Sequence, residues 1–223
     1  MSKLQAAHLR ASRVSLLSGG SLLIGLSGKD SFVTLDIAAQ HFKHIVCFHM
    51  YFVRGLECAE IPLRQIAARY KAELLFIPHY DLCRMLKHAV YRPHLARLDR
   101  TPKVTKGDLE RLARKRSGAE WIAYGERLSD SFARRLFWRK LDGVYEQGKR
   151  CTLIPDWLDA DVQGYMVAKK FPTPCRFGGT GASSDFALTP DVLGWLRAHH
   201  PRDYARVLRI FPGAAAELLV ERR

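Results

Sequence analysis

The chain has 223 residues, of which 48% are hydrophobic, and its formal net charge is +14. This length and composition suffice for a substantial domain with a buried core, which argues against a disordered chain. No apolar run approaches the roughly 18 residues that span a bilayer, and the N-terminus lacks a clean apolar segment with a cleavage site, so we expect a cytoplasmic protein with no membrane partner.

Strand-like and helix-like segments alternate along the chain. Short apolar or β-branched runs predict five strands, at residues 22–24, 44–53, 73–78, 120–124 and 152–154. Apolar periodicity and end signals predict helices at residues 1–20, 32–42, 56–70, 81–89, 106–117, 129–141, 159–170, 191–199 and 202–210, and from 214 onward. This alternation predicts an α/β fold with a parallel sheet, right-handed crossovers and helices on both faces.

A Gly- and Ser-rich stretch at residues 175–188 indicates a linker or a flap. The strand patterns end before it, and only helical patterns follow. We therefore expect an α/β domain at residues 1–174 and a flexible linker with a helical extension at residues 175–223.

The turn after the first strand has the character of a phosphate-binding loop. Ser27, Gly28, Lys29, Asp30 and Ser31 lie between an apolar strand and a periodic helix. Unpaired N–H groups and the positive dipole end of that helix favour an anion, and Lys29 and Ser31 offer further donors. A Walker loop is excluded, because Asp30 stands where that motif needs Ser or Thr. Taken alone, the stretch also fits an ordinary strand-to-helix turn.

A second motif follows the fourth strand and reads G-x-R-x-x-x-S-x-x-R, at Gly125, Arg127, Ser131 and Arg134. The glycine permits close approach of another chain segment, and two arginines near a helix start offer forked donors for phosphate or sulfate. The alternative for this segment is an exposed basic helix face.

A third segment follows the fifth strand, with Pro155 and Trp157, then Val162 and Tyr165. Asp159 stands between them, where it can cap the next helix. Trp157 fits a place in the core as well as it fits the wall of a ligand site.

Together the three motifs resemble the PAPS (phosphoadenosine phosphosulfate) reductase-like family of the PP-loop adenine-nucleotide alpha hydrolases. The resemblance covers residues 22–165 and implies a Rossmann-like five-stranded sheet with ATP or a sulfated adenine nucleotide, PAPS or APS, over the first turn. The chain departs from the family pattern at Leu26, where the first serine of the loop would fall, and Ser27 lies one place late.

The resemblance also implies roles for individual residues. Lys29, Asp30 and Arg127 are the implied catalytic residues, and Asp30 is a candidate Mg²⁺ ligand, with a helix N-cap as its alternative role. The implied nucleotide-binding residues are Ser27, Gly28, Lys29, Asp30, Ser31, Gly125, Arg127, Ser131 and Arg134. Cleavage of ATP between its α and β phosphates needs positioned donors and a metal ion rather than a thiol. Adenylation or sulfur transfer is therefore the expected activity.

The cysteines argue against thiol chemistry and against a metal cluster. Cys47, Cys58, Cys83, Cys151 and Cys175 are scattered and never form C-x-x-C, so we expect neither zinc nor an iron–sulfur cluster. Reductases of the resembled family place a catalytic cysteine in a C-terminal E-C-G-x-H segment, and no cysteine follows Cys175. Thiol-dependent reduction is therefore not expected.

A basic segment supports a second hypothesis. Residues 84–117 hold eleven Lys or Arg against three Asp or Glu, an excess of eight positive charges. Such a block attracts nucleic acid or another acidic partner, although a solvated loop and helix have the same composition. The alternative to an enzyme is a non-catalytic nucleic-acid-binding protein on the same fold. The sequence does not fix the oligomeric state.

Overall fold

A computed structural model of the chain describes residues 1–178 and 186–220. Its strands are β1 (Ser21–Gly25), β2 (His44–Tyr51), β3 (Glu73–Pro78), β4 (Ile122–Ala123), β5 (Val144–Tyr145) and β6 (Arg150–Cys151). They form one sheet in the order β3-β2-β1-β4-β6-β5. The pairs β1–β2, β1–β4 and β4–β6 are parallel, and only β5 pairs antiparallel to its neighbour among the described pairs. The predicted α/β fold with a mostly parallel sheet is confirmed.

The helices precede, separate and follow these strands along the chain. They are α1 (Lys3–Leu17), α2 (Lys29–Ala39), α3 (Glu57–Arg69), α4 (Tyr80–Lys87), α5 (Lys106–Ser117), α6 (Phe132–Arg139), α7 (Asp159–Ala168), α8 (Pro190–His199), α9 (Pro201–Ile210) and α10 (Glu217–Val220). Short 3-10 helices lie at Ala96–Leu98 and Pro212–Ala216. The predicted helix at 129–141 begins only at Phe132, because Ser131 is its N-cap. The helix predicted from residue 214 begins as a 3-10 turn and becomes α-helical at Glu217.

The fifth predicted strand is wrong in position, and the strand count is six rather than five. The paired residues are Arg150–Cys151, whereas the apolar run at 152–154 lies just beyond them and is fully buried as a loop. A short apolar run marks burial and does not by itself identify a strand. The additional strand Val144–Tyr145 has two residues, too few to show any periodicity.

The described residues divide into two compact units. The first comprises residues 1–49, 63–75 and 111–173, and the second comprises residues 50–62, 76–110 and 174–223. The proposed boundary after residue 174 stays a prediction, and residues 179–185 of the predicted linker lie outside the described part of the chain.

The core of the first unit is built around β1 and α2. Leu22, Leu23 and Ile24 are fully buried, as expected for a central parallel strand that is covered on both faces. On α2, Phe32 and Leu35 are also fully buried. Strand and helix are therefore held firmly at the point where they are joined by residues 26–28.

A buried carboxylate ties three helical segments of this unit together. Asp36 on α2 is 5% exposed and accepts hydrogen bonds from the hydroxyls of Tyr70 and Tyr165, and the Lys169 ammonium lies 3.3 Å from its Oδ2. Burial alone would raise the pKa of Asp36, but the two hydroxyls and Lys169 outweigh burial and lower that pKa. The sequence analysis did not identify this network.

Asp36→Asn is expected to lower the free energy of unfolding by about 2 kcal/mol at neutral pH, because hydrogen bonds to a charged group are lost. A lowered carboxyl pKa stabilises the fold above the ordinary pKa of Asp, and that stabilisation is lost as the pH falls through the lowered value. The difference between wild type and variant, measured by urea unfolding, should therefore shrink in acid. Asp142→Asn is the control, since Asp142 pairs with Arg10 but its side chain is 70% exposed, and it should cost less than about 1 kcal/mol. Equal unfolding curves for wild type and Asp36→Asn at every pH would contradict the prediction.

Among the residues that the structure describes, no helix has both the length and the apolar character that crossing a membrane requires.

Candidate functional site

The three sequence motifs of the first unit follow strands that are neighbours in the sheet. Strand β1 lies between β2 and β4, and β4 lies next to β6, so the order of the strands reverses beside β1. In open parallel sheets, a crevice forms at the carboxyl ends of the strands at such a reversal. The segments after β1, β4 and β6 therefore meet at one edge.

The turn between β1 and α2 is closed by a side chain. The Ser31 hydroxyl donates to the Gly28 carbonyl oxygen at 2.7 Å and accepts from the backbone N–H groups of Ser27 at 3.0 Å and Gly28 at 3.1 Å. Ser31 is buried, Ser27 is exposed, and Leu26 belongs to the core. The Ser31 hydroxyl thus orders the turn, and the exposed hydroxyl is that of Ser27.

The segment after β4 runs directly against this turn. A Cβ atom added to Gly125 would lie 2.5 Å from the carbonyl carbon of Asp30 and 2.6 Å from the backbone nitrogen of Ser31. Only glycine allows so close an approach of two backbones. Gly125 therefore brings Arg127 beside the first turn of α2.

Lys29 and Arg127 converge on shared carboxylates. The Lys29 ammonium forms an ion pair with Asp159 on α7 and lies 3.6 Å from Asp30 Oδ2. Arg127 is 8% exposed, and its guanidinium lies 3.4 Å from Asp159 Oδ1, 3.0 Å from Asp130 Oδ1 and 3.1 Å from Asp30 Oδ1. The Lys29 hydrogen bond and the charges of Lys29 and Arg127 lower the pKa of Asp159. The three loops thus meet at one cluster of charges.

One oxygen of Asp30 stands out within this cluster. Asp30 Oδ1 is buried and accepts no hydrogen bond from the described residues, because the nearby Arg127 Nε–H donates to Asp130. Burial raises the pKa of Asp30 and outweighs the opposite effect of Arg127 and Lys29. This oxygen can therefore accept a proton or bind a cation.

Arg134 and Ser131 lie at the rim of the cluster. Arg134 Nη1 lies 3.3 Å from Asp130 Oδ2, and Arg134 Nε lies 3.7 Å from Glu126 Oε1. The Ser131 hydroxyl accepts from the backbone N–H of Arg134 at 3.2 Å and so caps α6. Arg134 therefore joins Arg127 through Asp130, and both Ser131 and Arg134 are exposed.

Trp157 of the third motif and His49 on β2 each have a structural partner. Trp157 is 4% exposed, and its indole N–H donates to the Lys3 carbonyl at 3.4 Å, which supports a place in the core. A ring nitrogen of His49 is hydrogen-bonded to the Leu26 carbonyl at 2.9 Å. Neither side chain belongs to the charged cluster.

Asp30 was predicted from the sequence, but the other acidic members of the cluster were not assigned to the site. Asp159 was expected to cap the helix, but the N-cap residue of α7 is Leu158, whose backbone N–H donates to Asp161 Oδ2 at 2.6 Å. Asp130 lies inside the second motif, between its fixed positions. Their positions in the sequence could have indicated them. Asp130 follows β4 and Asp159 follows β6, and the loops after neighbouring parallel strands share one sheet edge.

Four acidic residues at the site outnumber the three basic ones. Lys29, Arg127 and Arg134 face four carboxylates, which belong to Asp30, Asp130, Asp159 and Glu126. An anion that reaches Lys29 and Arg127 must displace carboxylates or bring a cation with it. The arrangement therefore fits a metal-bound phosphate better than a bare phosphate.

No family model matches the chain, and no curated protein matches it in sequence. Its fold is similar to that of the U34-tRNA thiolase NcsA from Methanococcus maripaludis, solved with its [4Fe-4S] cluster, at 16% identity and a TM-score of 0.46, over 99% of this chain and 80% of the thiolase. It is also similar to the NH₃-dependent NAD synthetase from Campylobacter jejuni in complex with the nitrate ion, at 12% identity and a TM-score of 0.50, over 97% of this chain and 96% of the synthetase. The similarity to the synthetase shows a Rossmann-like α/β fold for this chain. Membership of the PAPS reductase-like family stays a prediction.

The expectation that the protein holds no iron–sulfur cluster needs correction. The thiolase NcsA carries a [4Fe-4S] cluster, which contradicts that expectation. That expectation rested only on the local spacing of the cysteines along the chain. Folding brings Cys58 and Cys175 from distant parts of the chain into hydrogen-bonding contact, so the absence of C-x-x-C excludes no metal.

Proposed function

We propose that this protein is an enzyme that binds ATP at the Lys29–Arg127 cluster and cleaves it between the α and β phosphates, which adenylates an acceptor. The observation that carries the proposal is the convergence of Lys29, Arg127 and the buried Asp30 oxygen, which accepts no hydrogen bond from the described residues, at the reversal of strand order. The PP-loop fold supports an adenine nucleotide as the ligand. The sequence resemblance supports the choice of reaction.

A magnesium ion fits the acidic part of the cluster. Mg²⁺ is usually held by one or two carboxylates together with substrate phosphates. Asp30 offers a buried oxygen that has no hydrogen bond from the described residues, and Asp159 offers a second carboxylate on the same side of Lys29. When bound, the ion would neutralise charge on the phosphates and leave Lys29 and Arg127 free to turn from their carboxylates to the nucleotide.

The proposed reaction follows from this placement. An oxygen nucleophile of the acceptor attacks the α-phosphorus, the bond from that phosphorus to the α–β bridging oxygen breaks, and pyrophosphate leaves with the bonding electrons. Lys29 and Arg127 stabilise the charge that grows on the pyrophosphate. Arg134, at the exposed rim, contacts the outer phosphates. Gly28 and the first-turn amides of α2 bind the phosphate nearest the turn.

The cysteines support adenylation over thiol-dependent reduction of PAPS or APS. Burial raises the pKa of the Cys47 thiol and of the Cys151 thiol to about 12, and both side chains are inaccessible. Burial also raises the pKa of Cys83. A nucleophilic thiol needs a lowered pKa and access to its substrate. Cys47 and Cys151 have neither, and Cys83, which is half-buried, lacks the lowered pKa.

The test combines binding and product analysis. Calorimetry with Mg–ATP, APS and PAPS should show binding of Mg–ATP to the wild type, and Lys29→Met should weaken it at least tenfold, since a hydrogen bond to a charged group is lost. Lys140→Met, at the C-cap of α6, is the matched control and should bind as the wild type does. Formation of AMP and pyrophosphate in the presence of an acceptor would support the reaction. Sulfite from PAPS or APS would overturn it.

The basic segment at residues 84–117 supports nucleic-acid binding as the alternative function. Arg97, Arg100 and Lys103 are exposed in the segment that follows α4, which favours a polyanionic partner. If the protein bound RNA or DNA tightly, with steep salt dependence and no nucleotide binding, the non-catalytic alternative would replace the enzyme.

A further inference from the structure

The second unit contains a cluster of metal-ligating side chains that the proposed function does not use. Cys58 lies in the first turn of α3, His200 lies between α8 and α9, and Asp203 lies in the first turn of α9. The ligand atoms of these three residues all lie within 4.8 Å of one another. Cys175 lies outside this group of three, but its thiol interacts with that of Cys58 and is the candidate for a fourth ligand.

The carboxylate of this cluster is fixed by the backbone. Asp203 is 1% exposed, and its Oδ1 and Oδ2 accept from the backbone N–H groups of Glu57 at 2.8 Å and Cys58 at 2.9 Å. The Arg206 guanidinium donates to Asp203 Oδ1 at 2.7 Å. Oδ1 thus accepts two hydrogen bonds and Oδ2 accepts one, and a carboxylate oxygen of Asp203 lies within 4.8 Å of the ligand atoms of Cys58 and His200. Asp203 therefore anchors the start of α3 and can still serve as a monodentate ligand.

The imidazole of the cluster is also held in place. The His200 backbone N–H donates to the Leu196 carbonyl at 2.8 Å, which fixes the junction of α8 and α9. The ring of Trp195 packs against the His200 ring with a centroid separation of 4.7 Å. Preorganised ligands of this kind lose little conformational entropy when a metal binds.

A catalytic role fits this cluster poorly. Reactive thiols lie in electropositive surroundings, which lower their pKa. Here Cys58 lies beside the Asp203 carboxylate, and the neighbouring Cys175 thiol carries no positive charge. Arg206 is engaged with Asp203 and Glu57 and does not offset them. A divalent cation would reverse this situation, because it stabilises thiolates and carboxylates together.

We propose that Cys58, Cys175, His200 and Asp203 bind a structural zinc ion. Two sulfurs, one imidazole nitrogen and one carboxylate oxygen form a ligand set that zinc accepts in tetrahedral geometry, and four protein ligands leave no open position for catalysis. Binding releases the two thiol protons to solvent. The ion would join the start of α3, the α8–α9 junction and the Cys175 segment, all within the second unit.

The test measures metal on the full-length protein. Wild type purified under reducing conditions and supplied with Zn²⁺ should retain about one zinc per chain after desalting, by elemental analysis. Cys58→Ser and Cys175→Ser should weaken zinc binding at least about 100-fold, since loss of a ligand costs no less than loss of its supporting contacts. Cys83→Ser is the matched control, a cysteine of the same unit on α4 and outside the cluster, and it should keep the metal. His200→Asn gives a variant with both thiols intact, in case a serine variant fails to fold.

A second readout uses Co²⁺ in place of zinc. Thiolate coordination should give an intense near-ultraviolet absorption band that Zn²⁺ abolishes and that the Cys83→Ser variant retains. Three results would each overturn the proposal: no stoichiometric binding of Zn²⁺ or Co²⁺ by the wild type, equal loss of metal in Cys83→Ser and Cys58→Ser, or iron rather than zinc at the Cys58 ligands. None of these results bears on ATP binding, so the zinc site and the proposed function are tested independently.

Discussion

Replacing Gly125 by valine is expected to destabilise the first unit by about 3 kcal/mol and to abolish nucleotide binding. The new Cβ atom would meet the carbonyl carbon of Asp30 at 2.5 Å and the backbone nitrogen of Ser31 at 2.6 Å. Both are backbone atoms, so no side chain can rotate away. The turn between β1 and α2 cannot move away either. Ser31 closes it with three hydrogen bonds, and the buried residues 22–24 of β1 hold its start in place. The clash must therefore move Arg127 away from Lys29 or unfold the turn.

Gly164 is the matched control for this substitution. It lies on α7, is exposed, and an added Cβ would meet no atom within 4 Å. Gly164→Val should leave ATP binding unchanged and gain a few tenths of a kcal/mol, since valine is a better helix former than glycine. The measurement is urea unfolding of both variants together with calorimetric titration of Mg–ATP. Similar stability and affinity in Gly125→Val and Gly164→Val would show that the two backbones are not in contact.

The sequence predicted those parts of the fold that depend on local patterns. The apolar strand at residues 22–24 and the periodic helix after it occur as predicted, because a strand buried on both faces must be uniformly apolar. Lys29 and Arg127 both lie against Asp159, and their role in nucleotide binding stays a prediction. Alternating strands and helices leave few possible topologies, and in each of them successive loops share an edge.

Contacts between distant residues could not be predicted in the same way. Asp36 meets Tyr70 and Tyr165 only after three helices have packed, and nothing in the spacing of these residues marks them as partners. Cys58 and His200 are similarly far apart in sequence. Each of these residues has an ordinary role when read locally, as part of a helix face or a turn. Recurrent motifs therefore identified Lys29, Asp30 and Arg127, whereas Asp130 and Asp159 at the same cluster were not assigned to the site.

Arg127→Ala is expected to weaken Mg–ATP binding at least about 100-fold and to lower the free energy of unfolding by about 3 kcal/mol. Arg127 is almost fully buried, and its removal leaves the carboxylates of Asp30 and Asp130 without their cation. The pKa of Asp30 is already raised by burial, and Arg127 opposes that rise. Without Arg127, the pKa of Asp30 must increase further.

The pH dependence of stability separates this cause from a simple loss of packing. A carboxyl whose folded pKa is raised stabilises the fold below its ordinary pKa, and that contribution is lost as the pH rises through the raised value. The stability deficit of Arg127→Ala should therefore be largest at neutral pH and should shrink as the pH falls and Asp30 becomes protonated. Arg127→Lys should recover stability but only part of the affinity, because an ammonium cannot contact several oxygens as the guanidinium fork does. Arg135→Ala, which loses only an exposed contact to the Leu128 carbonyl, is the control and should match the wild type in both measurements. A deficit that is the same at all pH values would mean that Arg127 acts through packing alone, and the electrostatic account of the site would then be wrong.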